Sequence, residues 1–141
     1  MEQDRSSVLK DNLFFLASAF SRKLNGEADE IFSTMGIASS HALILLLINE
    51  EPGIQPSTLA DKLFLKPSTI TRLVQKLERK EMVERKTEGR ATSIHCTPRG
   101  LELATNIEGS WQSLLDEKRK QLGERYVEVL SEMIANALGN I

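Results

Sequence analysis

The sequence predicts a mainly α-helical chain that carries one small β-hairpin. Three observations predict it. Two short helical stretches, 56–64 and 67–80, follow one another with about three residues between them, and helices joined so tightly mark a helix-turn-helix. Two strand-like runs, 82–86 and 92–96, come next with a glycine-containing turn between them, which reads as a hairpin. Apolar residues recur at helical spacing near both ends of the chain. Together these describe a winged helix-turn-helix with N- and C-terminal dimerisation helices, the hairpin being the wing.

The first helix is read from Leu9, Leu13, Leu16, Ala17, Phe20 and Leu24, which lie on one face. Asn25-Gly26 either ends it or only weakens it; Ile31 and Phe32 belong to a second short helical stretch, with Gly36 as its stop. Ser39 or Ser40 caps a third helix whose run 42–48 is apolar almost all round, so it is buried on most sides. Glu51-Pro52-Gly53 makes a turn. Pro56 suits the first position of the next helix, and Leu59, Ala60 and Leu63 form its inner face. After the hairpin, Thr97-Pro98 reads as a cap followed by a first-turn proline. A long helix with Leu101, Ala104, Ile107, Trp111 and Leu114 or Leu115 on one face follows. Gly123 punctuates it, and a last helix carries Tyr126, Val127, Leu130, Met133, Ile134, Ala137 and Leu138. The organisation is therefore a helical dimerisation region formed by 1–36 and 100–141, and a DNA-binding region at 37–99 with its recognition helix at about 67–80 and its wing at about 83–97.

Function is read from the helix at 67–80. At about 100° per residue, Ile70, Leu73, Val74 and Leu77 gather on one side. Ser68, Arg72, Gln75 and Arg79 fall opposite, with Thr69, Thr71 and Lys76 on the flanks. The outer face carries hydroxyls, an amide and long cations, with no acid at its centre. Those groups read duplex DNA: arginine pairs with guanine, glutamine with adenine, and serine or threonine with bases or phosphates. The charge distribution agrees. Residues 66–90 hold eight cations and four acids, a net +4 on a chain of net −2, which leaves −6 for the remainder. In the hairpin, Lys86 and Arg90 are the candidate wing cations for the adjacent minor groove, while Arg85 either packs or pairs with a neighbouring acid.

The totals bound the rest. The chain has 141 residues, 40% hydrophobic and 27% charged, enough for one core and a polar surface. A single cysteine, Cys96, excludes an intrachain disulfide and fits a reducing compartment. The first ten residues lack the pattern of a signal peptide, and the run 42–48 is far short of the about 20 residues a bilayer requires, so a cytoplasmic protein without membrane contact is expected. No nucleophile elbow, phosphate-binding glycine loop or zinc-helix motif is present, so neither an enzyme nor a cofactor is expected. His41, His95 and Cys96 are the soft candidate metal ligands; His95 and Cys96 are neighbours on a strand and point to opposite faces, so no metal site is expected.

The stretch Leu59-Ala60-Asp61-Lys62-Leu63 and the run Lys66-Pro67-Ser68-Thr69-Ile70-Thr71-Arg72-Leu73-Val74-Gln75-Lys76-Leu77-Glu78-Arg79-Lys80 resemble the MarR family of winged-helix regulators. Arg85 and Thr97-Pro98-Arg99-Gly100 fall at that family's spacing. The resemblance implies a triangular homodimer whose terminal helices interlock, with two lobes reaching successive major grooves of a pseudo-palindromic site. It implies repression, or sometimes activation, relieved by a small molecule or by oxidation. It places Ser68, Thr69, Thr71, Arg72, Gln75 and Lys76 at the groove and Arg90 at the wing tip. The chain departs from the family in having Glu81 where glycine is usual, Glu88 in place of an aspartate, and Cys96 in place of a leucine; its hairpin tip is also short.

The reading is a homodimeric repressor of duplex DNA, released by a small-molecule effector. Phe14, Phe20, His41 and Trp111 are conceivable pocket residues, with plain core packing the favoured reading of each. The alternatives are a winged-helix protein-interaction module without DNA binding, and a thiol-based redox sensor acting through Cys96.

Overall fold

The computed structural model describes residues 8–141. The first helix, α1 (Leu13–Ser33), starts where the Asn12 side chain accepts the Phe15 N–H at 2.9 Å. Leu9, expected inside the helix, lies in the turn before it. The helix runs unbroken through Gly26, so of the two options there the stop is not realised, and Ile31 and Phe32, expected in a second short stretch, belong to the same helix of 21 residues. A mid-helix glycine costs about 1 kcal/mol; here the apolar stripe continues past it to the buried Ala28 and Phe32, which anchor the following turns.

Gly36 takes a left-handed φ of 75° in the connection to α2 (Ser39–Glu50). The cap position of α2 is Ala38, one residue ahead of the expected serines, and the acceptor that a serine would supply comes from elsewhere, as described below. Six of its residues, among them Ile44, Leu45 and Ile48, are buried, which accounts for its all-round apolarity. The short helix α3 (Pro56–Leu63) ends at Phe64 in the left-handed region, and the Leu65 N–H closes back onto the Ala60 carbonyl at 3.0 Å. Then comes α4 (Pro67–Arg79), which ends the same way: Glu81 has φ 60° and the Met82 N–H meets the Leu77 carbonyl at 3.0 Å.

Two antiparallel strands form the wing, β1 (Val83–Glu88) and β2 (Ala91–Cys96), in register from Val83–Cys96 to Glu88–Ala91. Met82, expected in the first strand, precedes it as a buried core residue. The strands are longer at the tip than expected. The connection shrinks to Gly89-Arg90, and Gly89 supplies the positive φ of 62° that so tight a reversal needs. Ile54 bridges to Ile94 and ties the wing base to the loop after α2.

The long helix α5 (Pro98–Leu122) begins at a Thr97 cap, whose oxygen accepts the Gly100 N–H at 3.1 Å and whose hydroxyl donates to the Glu81 carbonyl at 2.6 Å. Gly123 then turns the chain into α6 (Glu124–Leu138). One core joins all these parts: Phe32 of α1, Ile44 and Leu45 of α2, Leu59 of α3, Ile70 and Leu77 of α4, Ile94 of β2 and Ile107 of α5 are fully buried. By contrast, α6 has no buried residue, and Leu13, Phe14, Leu16 and Phe20 of α1 lie exposed. No helix among the described residues is long and apolar enough to cross a membrane.

Candidate nucleic-acid interface

The interface is built on α4. Ile70, Val74 and Leu77 are buried and Leu73 is half-buried, which fixes the rotation of the helix against α2 and the core. That rotation turns Ser68, Thr71, Arg72, Gln75, Lys76 and Arg79 to the solvent, with Thr69 half-buried at the edge. The structure thus brings the seven expected residues of this helix onto one outer surface. Pro67 occupies the first turn and no side chain among the described residues caps α4, so its leading backbone N–H groups stay available to an anion.

Few of these side chains are committed inside the chain. The Thr71 hydroxyl donates to the Pro67 carbonyl at 3.0 Å and so faces its own helix. Among the described residues, Arg72, Gln75, Lys76 and Arg79 make no side-chain hydrogen bond or ion pair. Arg85 resolves its two expected options by pairing: its Nη2 lies 2.9 Å and its Nε 3.1 Å from Glu78 Oε1. That contact neutralises the acid on α4 and braces the wing against the helix. In the wing, Lys86 is exposed, 3.8 Å from Glu84, and Arg90 is exposed at the tip.

Behind α4 lies His41, 5% exposed, on the first turn of α2. Its Nδ1 accepts the Ala38 N–H at 3.4 Å, while Nε2 is buried without a partner among the described residues. Burial lowers its proton affinity below the usual histidine range, and the charges of Lys76, Lys80 and Arg72 lower it further. His41 is therefore packed inside, and it also serves as a cap for the start of α2. Asp29, which sequence reasoning passed over, supplies the other half of this cap: its Oδ1 accepts the Ser39 N–H at 2.7 Å. An acid on one helix capping another, ten residues away, leaves no local signal to find.

The remaining candidates lie away from α4. Cys96 is half-buried and its thiol points to the Leu45 carbonyl at 3.9 Å; burial pushes it up to about 11. Such a thiol is held protonated and so is a poor nucleophile. Phe14 is 85% exposed and lines no wall. Phe20 and Trp111 line a cavity of about 200 Å³ between α1, α5 and α6, together with Leu24, Leu114 and Ile134, and Lys118 stands at its edge paired with Glu27 at 2.6 Å. Trp111 also packs on Phe32 with ring centres 4.9 Å apart, and its buried Nε1 has no partner among the described residues. No cluster of three or more metal-ligating side chains occurs among the described residues.

The MarR family profile matches residues 37–88, from the start of α2 to the end of β1. The chain is 31% identical over 126 residues to the HTH-type transcriptional regulator MhqR of Bacillus subtilis (strain 168), covering 86% of each. Its fold is similar to that of S. aureus MepR in a complex with DNA (TM-score 0.83, 19% identity, 94% of this chain and 100% of that one). It is also similar to CouR of Rhodococcus jostii RHA1 bound to p-coumaroyl-CoA (TM-score 0.79, 22% identity, 92% and 93%). With the fold, the profile match and near-full coverage of a curated regulator in agreement, this chain belongs to the MarR family and is a DNA-binding transcriptional regulator, not an enzyme.

Proposed function

We propose that the protein is a cytoplasmic repressor that binds a pseudo-palindromic operator as a homodimer and lets go when a small molecule binds. The observation that carries this reading is the outer face of α4. Arg72, Gln75, Lys76 and Arg79 are exposed and spend no side-chain hydrogen bond among the described residues, while the acid beside them, Glu78, is neutralised by Arg85. In the groove, Arg72 and Gln75 are the base readers, Ser68, Thr69 and Thr71 contact bases or phosphates near the helix start, and Lys76 and Arg79 hold the backbone. Lys86 and Arg90 serve the minor groove beside it. The helical region 1–36 with 100–141 makes the dimer, and 37–99 the reading lobe. The exposed apolar residues of α1 and α6 support the pairing.

Effector release has its support in the cavity between α1, α5 and α6, which is lined by Trp111, whose buried indole N–H has no acceptor among the described residues. The DNA held by MepR and the p-coumaroyl-CoA held by CouR are findings about those proteins, and they make both halves of the reading reasonable for this fold. The test is selection from a random duplex pool at two salt concentrations. Enrichment of an inverted repeat with half-sites about 10 base pairs apart, with affinity falling steeply as salt rises, is the expected result. No binding at low salt would remove the DNA reading in favour of a protein-interaction module.

A further inference from the structure

Asp29 stands on α1, yet its carboxylate serves α2. The Ser39 N–H it accepts at 2.7 Å belongs to the first helical residue of α2, and the cap residue Ala38 has no side-chain acceptor of its own. The contact joins a negative charge to a helix N-terminus, which is both charge-assisted and favoured by the helix dipole. Among the described residues, it is the one hydrogen bond from an α1 side chain to the region 37–99. Through the rest of its length α2 packs chiefly on α5, and also on β2, α1 and α4, and α1 reaches the winged lobe mainly by way of α2. Beside the joint, an open cleft lined by Asn25, Asp29, Ser39, Leu43, Leu63 and Leu65 separates α1 from the turn that precedes α4. Ala28 and Phe32 pack α1 into the shared core, and at the cleft edge the Asp29 contact is the polar tie between α1 and the lobe.

We propose that Asp29 is a positioning residue for DNA binding, whose hold on the start of α2 fixes the angle between the dimerisation helices and α4 and so sets the half-site spacing that the dimer accepts. The inference rests on the dimeric operator-binding reading above. In a two-fold dimer each subunit's angle enters the separation of the two reading helices, so a small loosening at α2 appears twice. Asp29 touches no base, and its removal leaves the reading face itself intact.

The experiment measures the full-length protein on its selected operator and on duplexes whose spacer is one base pair longer or shorter. Wild type is expected to lose about tenfold or more on either change, comparable to a mismatched contact. Asp29→Ala is expected to bind the best spacing within about threefold of wild type but to lose the preference, to about twofold. Ser39→Pro cuts the same bond from the other side. Proline suits the first helical position, and Ala38 is already extended (φ −91°, ψ 164°), as the residue before proline must be. It is expected to lose the preference as well, and it decides alone if Asp29→Ala does not fold. Asp29→Asn, which keeps an acceptor oxygen, is expected to restore most of the preference. Spacer discrimination unchanged in Ser39→Pro, or affinity lost equally at every spacing, overturns the proposal. A wild-type protein that shows no preference for paired half-sites overturns the operator-binding reading, and this inference with it.

Discussion

Glu81 sits at φ 60°, where a side chain crowds its own backbone, because α4 must stop and reverse into the wing within three residues. The reversal itself is secured by the main-chain bond from the Met82 N–H to the Leu77 carbonyl and by the Thr97 hydroxyl donating to the Glu81 carbonyl, neither of which uses the Glu81 side chain. Glu81→Gly is therefore expected to raise stability by about 1 kcal/mol, seen as a higher urea midpoint with unchanged slope. A lower midpoint would mean that the Glu81 side chain, exposed as it is, holds the turn. His41 makes the second residue-level prediction. Its proton affinity in the folded chain lies below the ordinary 6.5, first through burial and then through Lys76, Lys80 and Arg72. The folded state thus binds fewer protons than the unfolded one. The contribution to stability is full above pH 6.5, falls as the pH drops through that value, and levels off below the folded pKa. Protonation also ends the acceptance of the Ala38 N–H by Nδ1. His41→Gln is expected to flatten that part of the urea-midpoint profile; an unchanged profile would assign the dependence to another group.

At the scale of elements, α4 predicts its own chemistry. If its outer face reads sequence, Arg72→Ala removes discrimination between operator and random duplex, at a cost of about 1–3 kcal/mol on the operator, while the protein stays dimeric. Lys76→Ala instead weakens both duplexes alike and lowers the salt slope by about one. Titration of both duplexes at several salt concentrations separates the two. Retained discrimination in Arg72→Ala would place the reading face elsewhere. This face was legible in the sequence because Ile70, Leu73, Val74 and Leu77 fix the rotation of the helix, and rotation alone determines what faces out. The hairpin was legible from Gly89 and the flanking runs, although its tip closed more tightly than the composition of 87–91 implied. What the sequence hid were features set by distant partners. Gly26 reads as a breaker but is carried by the burial of Phe32 two turns on, and the cap of α2 comes from Asp29 on another helix. Whether Glu78 would neutralise Arg85 depended on the wing folding back onto α4, which no local pattern encodes.

For the molecule as a whole, pairing depends on where apolar surface remains. A chain this size has enough buried residues for one core, and that core is complete without α6. Yet Tyr126, Met133, Ile134 and Leu138 recur along one helix, and Leu13, Phe14, Leu16 and Phe20 recur along α1, all of them open to solvent. Scattered exposed apolar residues are ordinary, but two helical stripes of them, one near each end of the chain, are more than a soluble monomer usually carries. Pairing two copies across these stripes would bury them in an interface of obligate character, where stability depends on protomer concentration. Removal of residues 124–141 is therefore expected to yield a monomer or an aggregate in sedimentation velocity, with the helical content of the remaining elements retained. Operator affinity of that fragment is expected to collapse toward the value for a single half-site, because the second reading helix is no longer tethered to the first. A well-behaved dimer lacking this last helix would show that α1 alone suffices for pairing, and would leave the exposed face of α6 to be explained by another partner.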